Sequence, residues 1–196
     1  MANPFDPGYY TSDQLRQFGF ARVGEGCAVA RNCTIVGLEN IELGDRVRID
    51  GYTSLIAAAG RLRIGSHVHL CSGCVVGARG GVELGDFASL SHGVKLLSAI
   101  DDFSGDRMTN STLPDEVLGV MTGPITVGRY APVGTGALLL PGADIGEGAA
   151  VNAMSVVTGP LPSWSICGGN PAKPLRPRSR RLLAQAARLD GGGPAG

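Results

Sequence analysis

The chain has 196 residues, enough for one domain with a substantial core or two small ones. Its 17 basic and 17 acidic side chains cancel, which removes the charge argument for a nucleic-acid or membrane-surface partner. Glycine is frequent, at 31 residues, and aromatics make up only 5%, so a core must come from small and aliphatic side chains; no apolar run approaches the ~18 residues of a membrane span.

The opening "MANPFDPGYY" lacks a basic region followed by an apolar one, so no signal peptide is expected. Five cysteines, an odd number without a C-x-x-C pair, argue against a disulfide framework or zinc ribbon and for a cytoplasmic location. "TSDQLRQFGF" (11–20) predicts a short helix with Ser12 or Thr11 as N-cap, within a cap spanning residues 1–22.

From residue 23 a six-residue beat begins. Its aliphatic members are Val23, Val29 and Ile35; Leu43, Ile49 and Leu55; Ile64, Leu70 and Val76; Leu84, Leu90 and Leu96. It resumes as Val127, Val133 and Leu139, then Ile145, Val151 and Val157. A glycine follows the first member of every triplet: Gly24, Gly44, Gly65, Gly85, Gly128 and Gly146. The fifth position of each hexad is small or aliphatic, as at Cys27, Cys33, Val47, Thr53, Ala59, Cys74, Ala88, Ala131, Ala149 and Ser155. One long and one small inward residue per six fits neither an amphipathic helix nor an alternating strand. It predicts stacked triangular coils over 23–175, each side a short strand and each corner a turn, around a continuous narrow core.

The beat fails over residues 98–124, which predicts an inserted loop opening with the adjacent pair Asp101 and Asp102. Three histidines precede it: His67 and His69 in "SHVHL", with Cys71 close by, and His92 in "LSHGVK". The upper coils carry Thr135, Gly136, Ala153 and Met154, mostly small residues that let a ligand approach the backbone. Beyond the last coil comes "GGNPAKPLRPRSRR", and between Lys173 and Arg188 there are six basic residues and no acid. Such a segment, including Lys173 and Arg176, suits anchoring of phosphates. Trp164 is expected to pack against the last coil or the C-terminal helix. "RSRRLLAQAARL" (178–189) predicts that helix, with Leu182, Leu183, Ala186 and Leu189 on one side, in a C-terminal part spanning 176–196 that ends in the tail "DGGGPAG".

The hexad pattern resembles the hexapeptide-repeat acyltransferases, over about residues 9–180. The resemblance implies an all-β fold, a left-handed parallel β-helix of about six coils, although general rules favour right-handed crossovers. "NPAK" is similar to the G-x-P-A-K/R signature of acetyl-CoA-dependent members. "YYTSDQLRQFGF", "SAIDDFSGDRMTNSTLP" and "PSWSICGGNPAKPLRPRS" resemble acetyltransferases of O-antigen, capsule and deoxyamino-sugar pathways, which points to lipopolysaccharide-type precursors. Where such relatives often carry Lys-Asp, this chain has Gly159-Pro160.

The resemblance implies acetyl-CoA as co-substrate, no metal, a sugar or nucleotide-sugar acceptor, and a homotrimer with the site between neighbouring prisms. It implies that amides at Thr135 and Ala153 hold the pantetheine arm. Asp101 falls where galactoside and maltose acetyltransferases carry a catalytic histidine. A carboxylate with an ordinary pKa near ~4 is a poor base for a hydroxyl but well suited to binding a sugar ammonium. The expectation is therefore N-acetylation of an amino sugar by direct attack on the thioester, with O-acetylation as the alternative. Asp101 or His92 is the expected base, and Asp102, His69 and Cys71 are expected at the acceptor. Two other classes remain open: a γ-carbonic-anhydrase-like zinc hydratase, for which histidine spacings of 2 and 23 match poorly, and a non-catalytic β-helix module.

Overall fold

The computed structural model describes residue 3 and residues 5–190, without the side chains of 189 and 190. The tail 191–196 and the Leu189 side chain, both addressed by the sequence expectations, lie outside the described residues.

The hexads form the three sides of a prism. The first sheet stacks Arg22–Val23, Ile41–Leu43, Leu62–Ile64, Val82–Leu84, Ile125–Val127, Asp144–Ile145 and Pro160–Leu161. The second stacks Ala28–Ala30, Arg48–Ile49, His69–Leu70, Ser89–Leu90, Pro132–Val133, Ala150–Val151 and Ser165–Gly169. The third stacks Thr34–Val36, Ser54–Ile56, Val75–Gly77, Lys95–Leu97, Leu138–Leu139 and Val156–Val157. These neighbours pair in parallel, coil upon coil, giving six full turns and two sides of a seventh. The aliphatic residues stack in register, Leu70 on Leu90 and Leu90 on Val133 in the second sheet, Val76 on Leu96 in the third. Leu55, Leu70, Val76, Leu90 and Leu96 are all 0% exposed.

The glycine after each first member has a packing cause. A Cβ on Gly85 would lie 2.7 Å from the Arg129 amide of the coil above, and one on Gly128 would lie 2.7 Å from the Glu147 amide. No side chain fits where successive coils approach this closely.

The inner filling corrects the hexad reading at two places. Ala59 is exposed, and Ala57 and Ala78 point inward instead, because the third corner carries extra residues there. Those corners also begin the first-sheet strands early and bury a second ladder, Ile41, Leu62, Val82 and Ile125, outside the six-residue beat.

Both ends are closed differently from expectation. Only Ser12–Leu15 is helical near the N-terminus, with Thr11 as N-cap, and Gly19 (φ 95°) turns the chain instead of extending the helix to residue 20. Tyr9–Thr11 pairs antiparallel with Ala28–Ala30, and Leu15, 1% exposed, plugs the open core. At the top, Ala172–Pro177 folds back antiparallel on Ser165–Gly169. The terminal helix spans Leu182–Asp190 and starts later than position 178. Arg178 is engaged in the prism: its guanidinium donates to the Tyr130 and Gly148 carbonyls, both at 2.8 Å.

One corner carries a ladder of left-handed residues, His67, Phe87, Tyr130 and Trp164, with φ between 55° and 62°. The first two ring pairs stack at 4.7 and 5.2 Å between centroids, and Tyr130 meets Trp164 tilted at 6.4 Å. Leu182 and Ala186 of the terminal helix pack on Tyr130 and Trp164, the place expected for Trp164.

The insertion leaves the third corner through Ser98, 0% exposed, whose hydroxyl donates to the Gly77 carbonyl (2.6 Å) and accepts from the Gly80 amide (2.9 Å). It then forms an antiparallel ribbon of Ala99–Asp101 with Val120–Thr122.

Candidate active site

Residues flanking an inward position point outward, so the second sheet displays two columns. One runs Arg48, His69, Ser89, Pro132, Ala150 and Ile166, and the other Asp50, Cys71, Ser91, Gly134, Asn152 and Gly168. At the lower end these columns hold a hydrogen-bonded polar cluster. Asp50 accepts from Tyr9 Oη at 2.7 Å, from Arg48 Nε at 2.8 Å and from His69 Nε2 at 2.8 Å. Arg48 also donates to Tyr9 Oη at 3.0 Å, with its guanidinium over the Tyr9 ring. Burial opposes the charge on Asp50, but the hydrogen bonds from Arg48, His69 and Tyr9 outweigh it and hold the carboxyl at about 2. Cys71 Sγ lies 3.9 Å from both His69 ring nitrogens, a long contact shared between them. Burial, reinforced by the Asp50 charge, pushes the Cys71 thiol up, away from thiolate chemistry.

His92 is exposed at the corner between the second and third sheets, and its carbonyl accepts from the Gly136 amide at 3.0 Å. Above it stand Thr135 and Gly136, then Ala153 and Met154, with the Met154 amide donating to the Thr135 carbonyl at 2.9 Å. The residues expected at the pantetheine arm thus line one edge of the upper coils. Lys173 pairs with Gly168 and Arg176 with Ile166, so these basic residues crown the second sheet on its outer side. Arg176 also lines a cleft of about 510 Å³ with Trp164, Arg178 and Arg180.

Asp101 lies elsewhere. With Arg79, Phe103 and Val120 it borders a cleft of about 630 Å³ over the outer side of the third sheet, floored by Leu97, Leu138 and Leu140. Asp102 is engaged within its own loop. Its carboxylate accepts from the Ser104 amide (2.9 Å) and hydroxyl (3.0 Å), which lower its pKa and close a turn of the loop.

The expected residues therefore fall on two faces of one prism. His69 and Cys71 are on the second sheet, Asp101 is over the third, and His92 is on the edge between them. Sequence reasoning missed the cluster members Tyr9, Arg48 and Asp50. The available signal was their place beside inward positions or, for Tyr9, in the quoted opening segment.

The three histidines do not converge, since His67 stacks on Phe87 at a different corner from His92. Among the described residues the one group of three possible metal ligands is Asp50, His69 and Cys71. Its carboxylate is already taken up by Arg48, Tyr9 and His69. This arrangement does not fit a three-histidine zinc site.

Parallel triangular coils, closed by a basic hairpin and interrupted by one loop, define a β-helix. No family model matches the chain. It is 32% identical over 175 residues, 89% of this chain and 91% of the relative, to a dTDP-4-amino-4,6-dideoxy-D-glucose acyltransferase of Escherichia coli. It is 31% identical over 150 residues to a probable acetyltransferase of Mycobacterium tuberculosis, covering 76% of this chain and 48% of that one. Among solved structures, AntD, an N-acyltransferase from Bacillus cereus in complex with dTDP and 3-hydroxybutyryl-CoA, superposes with TM-score 0.88 at 30% identity, covering 94% of this chain and 97% of that one. A variant of AntD was solved with dTDP-4-amino-4,6-dideoxyglucose and coenzyme A. The chain belongs to the left-handed β-helix, hexapeptide-repeat acyltransferase family.

Proposed function

We propose that the protein transfers an acetyl group from acetyl-CoA to the amino group of a nucleotide-linked deoxyamino sugar, by direct attack of the amine on the thioester. The observation that carries this reading is Asp101 at the border of an apolar-floored cleft, on a chain similar to enzymes named for amino-sugar acylation. The carboxylate pairs with the sugar ammonium and holds the nitrogen in place as it gives up its proton. Backbone and small side chains at Thr135, Gly136, Ala153 and Met154 receive the pantetheine arm, and Lys173 and Arg176 meet the coenzyme phosphates. His92 stands one rung below Thr135 and Gly136, at the thioester end of that edge. Cys71 contributes a wall of the acceptor site.

The active assembly is a homotrimer. The third sheet shows an apolar outer side, with Val36 45% and Ile56 43% exposed, that a neighbouring prism would cover. Such packing brings the Asp101 loop of one subunit to the second sheet of the next and unites the two halves of the site. The product would feed assembly of a surface polysaccharide of the lipopolysaccharide type, in the cytoplasm. The five free cysteines fit a reducing compartment, and among the described residues no helix is long and apolar enough to cross a membrane.

The test is thiol release from acetyl-CoA by the purified protein with a panel of nucleotide-linked amino sugars, with the product located by NMR. An N-acetyl product from at least one acceptor is expected, and an O-acetyl product or no release on the whole panel would overturn the reading.

A further inference from the structure

The polar cluster at the foot of the second sheet has a chemical capacity that the Asp101 cleft lacks. Asp50 accepts from His69 Nε2 at 2.8 Å, which fixes the neutral imidazole with its proton on Nε2 and its lone pair on Nδ1. Asp50 is itself held from its other side by Arg48 Nε (2.8 Å) and Tyr9 Oη (2.7 Å), so the carboxylate cannot rotate away. Its side chain is 15% exposed, whereas that of His69 is 42% exposed. An accessible imidazole backed by a partly buried, oriented carboxylate is the arrangement of a general base with its positioning residue.

The charged and titratable groups facing His69 are Asp50 and Arg48 from the coil below, Tyr9 from the N-terminal strand and Cys71 on its own coil. Cys71 Sγ is the one side-chain partner of Nδ1 among the described residues, at 3.9 Å, a long sulfur contact that an incoming N–H donor displaces. His92 is exposed at its corner, and its ring has no hydrogen-bond partner among the described residues. His69 lies one coil, about 4.8 Å, below the rung carrying Ser91 and His92.

We propose that His69 is the general base of the acyl transfer and that Asp50 is its positioning residue. This rests on the amino-sugar reading above. The ammonium held by Asp101 first releases one proton to solvent; the neutral amine then attacks the thioester carbon, the C–N bond forms, and a second nitrogen proton passes to His69 Nδ1. The C–S bond then breaks, and the same proton goes to the departing coenzyme A sulfur, which returns the imidazole to its starting state. In the proposed trimer Asp101 of one subunit binds the amine, and His69 of the next takes the proton.

The test compares His69→Gln, His69→Ala, Asp50→Asn and the His69→Ala/Asp50→Asn double variant of the full-length protein, with acetyl-CoA and an amino-sugar acceptor that the wild type turns over. A positioned base contributes about 10²- to 10⁴-fold. Both single replacements of His69 are expected to lose at least ~10²-fold in kcat with little change in acceptor KM. Added imidazole is expected to restore part of the His69→Ala loss. Asp50→Asn is expected to lose kcat and shift the pH profile, and the double variant to be no slower than His69→Ala alone. A kcat within threefold of wild type for both His69 variants, or a loss that appears in KM and does not respond to imidazole, overturns the assignment while leaving N-acetylation intact. Multiplying losses in the double variant overturn the pairing. A wild-type enzyme silent on every amino sugar overturns the functional reading and the base assignment together.

Discussion

Asp50 offers a stability measurement whose size follows from its surroundings. Its carboxyl sits at about 2 against an ordinary 3.8, because hydrogen bonds from Arg48, His69 and Tyr9 outweigh the cost of its burial. At 1.36 kcal/mol per pH unit, that difference stabilises the folded chain by about 2 kcal/mol when Asp50 is ionised in both states. A lowered folded-state value means that the contribution is complete above about pH 4, is about halved near pH 3 and has mostly gone by pH 2. Asp50→Asn cannot ionise and therefore lacks it. In urea unfolding followed by the fluorescence of Trp164, the wild type should exceed Asp50→Asn by about 2 kcal/mol at pH 7. The gap should narrow on acidification through that window. Equal stability at pH 7, or a gap that stays constant down to pH 2, would refute the claim that Arg48, Tyr9 and His69 hold the charged carboxylate.

Gly85→Ala should destabilise the chain by about 1–3 kcal/mol, because its Cβ would lie 2.7 Å from the Arg129 amide; Gly159→Ala, with nothing within 4 Å, should leave the melting temperature unchanged. Asp101→Asn should lower kcat/KM for the amino sugar at least ~10-fold, the range for losing a hydrogen bond to a charged group, without changing the melting temperature of this exposed residue. Lys173→Ala and Arg176→Ala should each raise KM for acetyl-CoA several-fold with kcat nearly unchanged, as measured by thiol release.

The stacking of Val23 through Val157 was legible because each coil repeats one demand, a long aliphatic residue under the same residue of the next coil. The ladder of Ile41, Leu62, Val82 and Ile125 was not, since it depends on how far each third corner bulges and has no fixed period. The edge proposed here for the coenzyme was suggested by small residues at corners followed by a basic segment. Asp50 escaped notice because its partner His69 is 19 residues away, across a coil whose length varies, and Tyr9 reaches the same carboxylate from 41 residues away. The division of the site between two faces was also hidden. It arises from the third-corner exit of the loop at Ser98, which carries Asp101 over a different side of the prism from His69.

The central claim is that this prism acylates a nitrogen. The most direct measurement is kcat/KM for a nucleotide-linked 4-amino-4,6-dideoxy sugar against its 4-hydroxy counterpart, with acetyl-CoA saturating. Turnover of the amine at least ~10³-fold above the alcohol is predicted, since the proposed site pairs Asp101 with an ammonium, and a site built around one polar group rejects the analogue lacking it. Equal turnover of the two, or preference for the hydroxyl, would contradict the account.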